Sequence, residues 1–346
     1  MRLQQLHLQQ FRSYSEATFD FTSGINVITG PNGSGKTNIL EAIYTLAFTR
    51  SFRDSPAQLA RHGSDWFRIW AQLDNSDEIA LRWVQREKRC EYNQQPQKPQ
   101  DFFGTVPVVL FEPGMMDIVY GAPQRRRRWL DRVLSATDNS YLRALLRYKR
   151  ILRQRNSLLR SQREVRDEVF GWDVLLVEQA VYIKEQREKL IHFLDDHFGV
   201  VYSEVAGEET QVRLQYRSRV VQETTYKDDL LAALEAGFVR DQRYGFTTSG
   251  PHRDDVVLQK DGQPFSVAGS RGEVRTATLA LTATESRYIY KTRGEQPVVL
   301  LDDVLSELDE QRRHRLLGAV EGSQILLTTT ELPEIPKSEY NHIALT

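Results

Sequence analysis

Hydrophobic and polar residues alternate near the start of the chain, over residues 3–11 and again over 19–28, and this period of two predicts short β-strands. The alternation returns over residues 66–92, which predicts a second small sheet. Between these stretches the apolar residues are spaced by threes and fours, as on one face of a helix. The residues with that spacing are Ile39, Leu40, Ile43, Leu46 and Ala47.

The middle of the chain, from residue 123 to about 198, consists of long segments rich in Arg, Gln, Glu and Leu. Leucines at helical spacing predict helices there, separated near Gly171, and we expect an all-helical lobe. Alternation predicts strands again at 212–216 and 256–258. The continuous apolar run 297–301 is typical of a parallel strand that is buried on both faces.

A phosphate-binding loop is predicted directly after the strand at residues 25–28. The stretch that fits the Walker A pattern completely is Gly30-Pro31-Asn32-Gly33-Ser34-Gly35-Lys36-Thr37. Its glycines let successive backbone N–H groups curl around a phosphate, and the following helix adds the positive end of its dipole. We expect Lys36 to reach the β- and γ-phosphates of ATP and the Thr37 hydroxyl to ligate Mg²⁺.

A Walker B element is predicted where the apolar run 297–301 ends in two carboxylates, Asp302 and Asp303. At the end of a buried strand, Asp302 is placed to hold magnesium and Asp303 to polarise an attacking water. An ordinary strand followed by an acidic turn is the alternative interpretation, which the Walker A loop makes less attractive.

Two further stretches flank the Walker B element. Ser270, Gly272 and Glu273 precede a predicted helix at 274–290, and a hydroxyl at a helix N-terminus forms an anion site. In this order the stretch resembles the ABC signature, which in that superfamily contacts the γ-phosphate held by the opposite subunit. The stretch 306–309, which ends in Asp309, resembles the D-loop, although a helix N-cap is nearly as good an interpretation.

The finer resemblance covers almost the whole chain and is to the bacterial RecF family of recombinational-repair ATPases. The matching stretches are Phe11-Arg12-Ser13-Tyr14, Lys36-Thr37-Asn38-Ile39-Leu40-Glu41-Ala42-Ile43, Arg50-Ser51-Phe52-Arg53, Gly121-Ala122-Pro123 with residues 125–131, and Gly250-Pro251-His252-Arg253-Asp254-Asp255. The resemblance implies an ATP-dependent homodimer that binds double-stranded DNA, works with RecR and RecO, and helps RecA onto gapped DNA. It also implies nucleotide contacts for Asn38 and Arg12, although Arg12 could simply pair with a carboxylate.

The chain departs from the ABC pattern at three places. Val274 follows the signature where a polar residue is familiar, and Glu112 is only a candidate for the Q-loop position. Residues 328–330 are three threonines where many ABC proteins carry a switch histidine. These departures favour slow hydrolysis of ATP.

The formal net charge is −1, so a contact with DNA requires a local patch of positive charge. Residues 125–166 carry thirteen arginines and one lysine against three carboxylates, a local excess of eleven positive charges. The hypothesis for DNA contact rests on its first four arginines, Arg125, Arg126, Arg127 and Arg128. The alternatives for the run are a solvated helix face or a network of ion pairs with acidic residues elsewhere in the chain.

The chain has neither an apolar stretch long enough to span a membrane nor an export leader at its start, and we expect a cytoplasmic protein without a membrane partner. The expected fold is α/β, an ABC-type P-loop ATPase head of mixed sheets and flanking helices with an inserted all-helical lobe. The N-terminal part of the head would span residues 1–110, the lobe 111–205, and the C-terminal part of the head 206–346.

Two other classes of protein stay open at this point. A small-molecule kinase or GTPase would need an acceptor site or a base-specificity motif, and the signature argues against it. A DNA-binding scaffold whose nucleotide site no longer hydrolyses ATP would keep every phosphate-binding element that the sequence shows.

Overall fold

The computed structural model describes residues 1–161, 165–221, 223–304, 308–332 and 339–346. These residues divide into two compact units. The first unit consists of residues 1–116, 200–209 and 271–346, and the second of residues 117–199 and 210–270.

The strands are, in chain order, β1 (Leu3–Phe11), β2 (Tyr14–Asp20), β3 (Ile25–Thr29), β4 (Trp66–Leu73), β5 (Glu78–Val84), β6 (Glu87–Tyr92), β7 (Gln95–Gln97), β8 (Val108–Phe111), β9 (Val212–Arg217), β10 (Asp255–Lys260), β11 (Gln263–Pro264), β12 (Val298–Asp302), β13 (Gln324–Thr329) and β14 (Tyr340–Ala344). The helices are α1 (Lys36–Phe48), α2 (Pro56–Leu59), α3 (Pro99–Phe102), α4 (Asp117–Tyr120), α5 (Pro123–Thr137), α6 (Asn139–Leu159), α7 (Arg166–Ala206), α8 (Tyr226–Ala236), α9 (Phe238–Tyr244), α10 (Phe265–Ala268), α11 (Arg271–Arg293) and α12 (Glu310–Ala319).

The first unit contains two sheets. Five strands, each parallel to its neighbours, lie in the order β14-β3-β13-β12-β8, and six antiparallel strands lie in the order β2-β1-β4-β5-β6-β7. Helix α1 contacts strands of both sheets, which is why it is buried on nearly every side. The parallel strands β8 and β12 are buried along their whole length, as the continuous apolar run at 297–301 predicted.

The helices of the second unit differ from the expectation at one point. Gly171 was expected to separate two helices, but it lies inside the long helix α7, and a side chain at this position would meet open space. A glycine within a helix costs only about 1 kcal/mol relative to alanine, and the packing of a helix overrides that amount. The chain leaves α6 after Leu159 instead.

The second unit is not built from helices alone. Strands β9, β10 and β11 form a small antiparallel sheet in it, and residues 210–270 lie with the helices of this unit, whereas the sequence placed them in the ATPase head. Arg155 on α6 is completely buried, and its guanidinium binds the carboxylates of Asp173 and Asp241. A buried cation of this kind requires its partners, so Asp241 ties the segment 210–270 to α6.

In the ranges of the chain that the structure describes, none of the helices combines the length and the apolar character that crossing a membrane requires.

Candidate functional site

The predicted ATP site lies at one edge of the parallel sheet. Strands β3, β13 and β12 are neighbours, so their carboxyl ends lie side by side. The loop from Gly30 to Gly35 follows β3, Thr328 lies near the end of β13, and Asp302 ends β12. The Walker A and Walker B elements, which are more than 260 residues apart in sequence, therefore meet at this edge.

Two glycines give the loop its shape. Gly33 and Gly35 have φ angles of 88° and 101°, in the left-handed region that glycine adopts without strain. A Cβ atom at Gly35 would lie 2.7 Å from the hydroxyl of Tyr14 and 2.9 Å from that of Ser13. The positive φ angle disfavours any other residue at position 35, and the two hydroxyls would have to move to admit a side chain, so the turn that starts α1 depends on this glycine.

Lys36, the first residue of α1, is buried, and its ammonium group folds back onto the loop. Its Nζ donates hydrogen bonds to the carbonyl oxygens of Gly30 at 2.7 Å and Pro31 at 2.9 Å. The hydroxyl oxygen of Ser34 in the same loop is buried and has no hydrogen-bond partner among the described residues. The loop thus presents a lysine charge and a hydroxyl that phosphate oxygens could engage.

The hydroxyls of Thr37 and Thr328 both donate to the same carboxylate oxygen, Oδ1 of Asp302, at 2.9 and 2.8 Å. Asp302 is only 7% exposed, and burial raises the pKa of its carboxyl, although the hydrogen bonds from Thr328 and Thr37 oppose that rise. A divalent cation beside this carboxylate would favour its ionised form.

The Thr37–Asp302 pair fits a magnesium ion. Magnesium prefers octahedral oxygen ligands at about 2.1 Å, so neighbouring ligands lie about 3 Å apart, and the two oxygens here are 2.9 Å apart. The described residues contain no group of three or more His, Cys, Asp or Glu side chains that could hold a metal ion. In nucleotide sites magnesium usually has one or two protein ligands and completes its shell with phosphate and water oxygens.

Asp303 differs from Asp302 in conformation and exposure. Its φ angle is 50°, in the left-handed region, and the residue is exposed at the end of the strand. Its backbone N–H donates to the hydroxyl of Thr328 at 3.0 Å. The structure therefore separates the two carboxylates into one that is buried and bonded to Thr37 and one that is exposed.

Arg12 binds carboxylates, which is one of the two arrangements that the sequence allowed. Its guanidinium makes a bidentate pair with Glu41 at 2.8 and 2.7 Å and a further bond to Asp54 at 2.5 Å. Glu41 has no exposed surface and also accepts hydrogen bonds from Arg53 and Ser51. Burial alone would raise the pKa of Glu41, but hydrogen bonds from Arg12, Arg53 and Ser51 outweigh it and lower this pKa.

Asn38 is bonded on both sides of its amide. It donates to the hydroxyl of Ser13 and accepts from Arg53, each at 3.0 Å. The Tyr14 hydroxyl donates to the carbonyl of Gly35 at 3.2 Å. This bond and the bond from Asn38 to Ser13 attach the β1–β2 turn to the start of α1. Among the other expected site residues, Asn32 is exposed in the loop.

The signature stretch lies at the start of a long helix, as predicted, but this helix begins three residues earlier than expected. Helix α11 starts at Arg271, so Ser270 precedes it directly, and Gly272 and Glu273 belong to its first turn. Of the D-loop stretch, residues 306 and 307 lie outside the described residues. Asp309 caps α12, since its carboxylate accepts from the backbone N–H of Arg312 at 2.8 Å. That is the N-cap interpretation which the sequence left open.

The four arginines of the DNA hypothesis do not share one environment. Arg125 and Arg128 are exposed, but Arg126 is buried and makes a bidentate ion pair with Asp255 at 2.7 and 2.9 Å. Arg127 is half-buried and donates to the backbone carbonyl of Asp254 at 2.7 Å. Arg126 is thus a structural residue rather than part of an exposed patch, because the helical period turns it toward β10.

Sequence reasoning missed Thr328 as a partner of the Walker B carboxylate and Glu41 as the acceptor of two arginines. Thr328 was noted only as one of the three threonines at 328–330, where many ABC proteins carry a histidine. The signal that could have identified it is its position near the end of β13, which the parallel register places opposite Asp302. Glu41 gave a weaker signal, a charged residue between the apolar residues Leu40 and Ala42 of α1.

Comparisons with known proteins show which family the chain is similar to. A family model described as an AAA domain matches residues 5–100. The DNA replication and repair protein RecF of Moorella thermoacetica is 37% identical over 97% of this chain and 92% of its own length. That of Herpetosiphon aurantiacus is 34% identical over 96% and 94%.

Solved structures show the same relationship. A structure described as the recombination mediator protein RecF with ATP in the RecFOR pathway superimposes with a TM-score of 0.90 and 28% identity, over 96% of this chain and 93% of that one. An Smc head bound to the winged-helix domain of ScpA has a TM-score of 0.55 at 16% identity, which shows a shared fold, and the expected fold class of mixed sheets with flanking helices and a helical lobe is confirmed. The resemblance seen in the sequence is confirmed, and the chain belongs to the RecF family.

Proposed function

We propose that this protein is an ATPase of recombinational repair that dimerises when it binds ATP and Mg²⁺ and then holds double-stranded DNA. The observation that carries the proposal is the Thr37–Asp302 hydrogen bond, which joins the Walker A and Walker B elements beside Lys36. A structure of the similar RecF protein is described as a complex with ATP, which supports the same ligand here.

ATP binding would use the side chains and backbone N–H groups of the Walker A loop, together with Asp302. Lys36 would exchange its bonds to the Gly30 and Pro31 carbonyls for β- and γ-phosphate oxygens. Thr37 and Asp302 would hold Mg²⁺, which neutralises phosphate charge when it is bound. The remaining candidate contacts are the backbone N–H groups of Gly33, Gly35, Lys36 and Thr37 and the Ser34 hydroxyl, which has no other partner in the described chain.

Hydrolysis would use the exposed carboxylate. Asp303 would accept a proton from a water whose oxygen attacks the γ-phosphorus, while the bond to the β–γ bridging oxygen breaks and ADP leaves with that electron pair. The products are ADP and inorganic phosphate. Residues 328–330 are threonines where many ABC proteins carry a histidine, and we infer slow turnover that DNA stimulates.

Dimerisation would complete the site. Ser270 lies at the N-terminus of α11, a 23-residue helix whose dipole favours an anion at this end. In the ABC arrangement this end meets the γ-phosphate of the opposite subunit, with Gly272 and Glu273 in the same turn. Asp309 would act beside it as the D-loop residue in addition to capping α12.

The partners follow from the family. The relatives are named DNA replication and repair protein RecF, and the similar structures are described as parts of the RecFOR pathway. For this chain we infer action with RecR and RecO that assists RecA onto gapped DNA. The exposed Arg125 and Arg128, with support from Arg127, are the candidate contacts to duplex phosphates.

Two substitutions test the proposal together. Lys36→Met removes the main countercharge of the phosphates, so it should abolish ATP binding and the ATP-dependent binding of duplex DNA. Asp303→Asn should keep ATP and Mg²⁺ but lose hydrolysis, measured as phosphate release with and without duplex DNA. Unchanged ATP affinity in Lys36→Met would refute the P-loop assignment. A wild-type protein that binds duplex DNA with ATP yet releases no phosphate would be the scaffold that the sequence left open.

A further inference from the structure

A cavity of about 480 Å³ lies wholly within the second unit, between α5, α6, α7 and the turn at residues 250–253. We call it the lobe cavity and define it by its charged lining residues. These residues are Arg127, Arg128, Asp131, Lys149, Arg187 and Arg253. Five cations thus face a single carboxylate, so the lining carries a net charge of +4.

The single carboxylate is already engaged. Asp131 accepts from Arg187 at 2.8 Å, from the hydroxyl of Tyr141 at 2.8 Å and from Lys149 at 3.3 Å. Asp131 offsets one of the two cations that bind it, and three of the four remaining positive charges belong to Arg127, Arg128 and Arg253. Within the described ranges, none of these three has a carboxylate within ion-pair distance, so an anion that enters the cavity would meet guanidinium groups without a countercharge.

The backbone fixes two of these guanidinium groups in place. Arg253 donates from Nε and from one terminal nitrogen to the Thr247 carbonyl, at 3.1 and 3.0 Å, and lies over the Phe246 ring. Arg127 donates to the Asp254 carbonyl. Burial, and then the charge of Arg187, lower the pKa of Arg127, as expected for a cation among cations. Arginine held in this way is organised in advance to bind phosphate oxygens.

The lining of the lobe cavity also includes three apolar side chains, Leu145, Leu152 and Ile183. The volume exceeds what one phosphate group needs and falls within the range of small-molecule sites, about 300–1,000 Å³. A ligand that fills the cavity therefore combines a phosphate with an apolar ring. Nucleotides have this combination.

We propose that the lobe cavity binds the phosphate and the base of a nucleotide, at a site separate from the Walker A loop. Two sources share this chemistry, a free nucleotide and an unpaired nucleotide of a DNA strand. The inference goes beyond the proposed function, which requires only ATP at the Walker A loop and duplex DNA.

The test uses the full-length chain with Lys36→Met, so that the Walker A loop does not contribute. AMP is titrated by calorimetry and a short fluorescent oligothymidylate by anisotropy. Arg128→Gln and Arg253→Gln should each weaken binding by about tenfold, because a hydrogen bond to a charged group is lost. Arg150→Gln is the matched control, an exposed arginine of α6 outside the cavity lining, and it should bind as the parent does.

The outcomes separate the two sources. Binding of AMP that depends on Arg128 and Arg253 identifies a free nucleotide, and binding of the oligothymidylate alone identifies a strand. Binding of neither probe, or equal affinities in the two cavity variants and Arg150→Gln, would overturn the inference. ATP-dependent binding of duplex DNA by the wild-type protein is measured in parallel. If that binding persists while both probes fail, only the cavity inference is lost.

Discussion

The hydroxyl of Thr328 donates a hydrogen bond of 2.8 Å to Asp302 across two neighbouring parallel strands, and the same hydroxyl accepts from the backbone N–H of Asp303. One small side chain therefore contacts both residues of the Walker B pair. Because the bond to Thr328 opposes the effect of burial on the Asp302 pKa, Thr328 helps to keep that carboxylate ionised.

We predict that Thr328→Val lowers ATP turnover by about tenfold, the scale on which partners of metal ligands act. Without the hydroxyl the pKa of Asp302 rises further, so the fall of activity at acid pH should begin at a higher pH. Phosphate release measured across pH checks both effects. Thr329→Val is the matched control, since Thr329 bonds to His342 instead. Equal pH profiles for both variants would mean that Thr328 only fills space.

The Thr328–Asp302 pair shows which features of the site the sequence could predict and which it could not. The Walker A loop and α1 were predicted correctly because the motif, the strand before it and the helix after it are all local. The pairing of Thr328 with Asp302 depends on the register of β12 against β13, which is set by contacts between distant parts of the chain. A pattern of apolar residues predicts that both strands are buried, but it does not give their register.

The arginines at 125–128 show the same limit of prediction from sequence. Arg125 and Arg126 are identical in type and adjacent in sequence, yet one is exposed and the other is buried against Asp255. Helical periodicity indicates that the two side chains point in different directions. It does not reveal that a carboxylate 129 residues away lies opposite Arg126.

We predict that Arg126→Ala destabilises the protein by about 3 kcal/mol, because it leaves the Asp255 carboxylate without its cation. The exposed Arg128→Ala should change the free energy of unfolding by no more than about 0.5 kcal/mol. Urea unfolding of the two variants measures the difference.

In duplex DNA binding, Arg125→Gln should reduce the slope of log affinity against log salt by up to about 0.9 if Arg125 contacts one phosphate. An unchanged slope would make Arg125 part of a solvated face.

His252 should make stability depend on pH. Its Nδ1 is 2.6 Å from the Tyr148 hydroxyl and its Nε2 is 3.0 Å from the Thr247 carbonyl, so the neutral ring accepts from the first and donates to the second. Burial, opposed by the Thr247 bond and assisted by nearby arginines, lowers the pKa of His252 to about 4.

The unfolded chain therefore binds a proton at this residue between about pH 6.5 and 4 while the folded chain does not, so stability falls as pH decreases through that window. The loss should approach about 3 kcal/mol at the acid end. Urea unfolding at several pH values should show this fall in the wild type and a smaller one in His252→Gln. If the free energy of unfolding falls equally with pH in both proteins, His252 takes up its proton over the same pH range in the folded and unfolded chains, and the prediction is wrong.

The last prediction tests the ABC arrangement rather than the generic P-loop. If α11 of one subunit meets the γ-phosphate held by the other, a long side chain at Ser270 should block that approach. Ser270→Arg leaves the loop from Gly30 to Thr37 unchanged, so each subunit should still bind ATP. Dimerisation with a non-hydrolysed ATP analogue and hydrolysis of ATP should both be lost.

Light scattering gives the mass of each form, and the wild-type protein provides the reference. It should be a dimer with the analogue and a monomer with ADP, because ADP offers no γ-phosphate to the serine and the helix N-terminus of the partner. Ser270→Ala is the control. It removes the hydroxyl but adds no bulk at the interface and leaves the dipole of α11 unchanged. It should weaken the dimer without abolishing it. An intact dimer of Ser270→Arg with the analogue would place the interface elsewhere and refute the signature assignment, while the ATP site at Lys36 and Thr37 would stand.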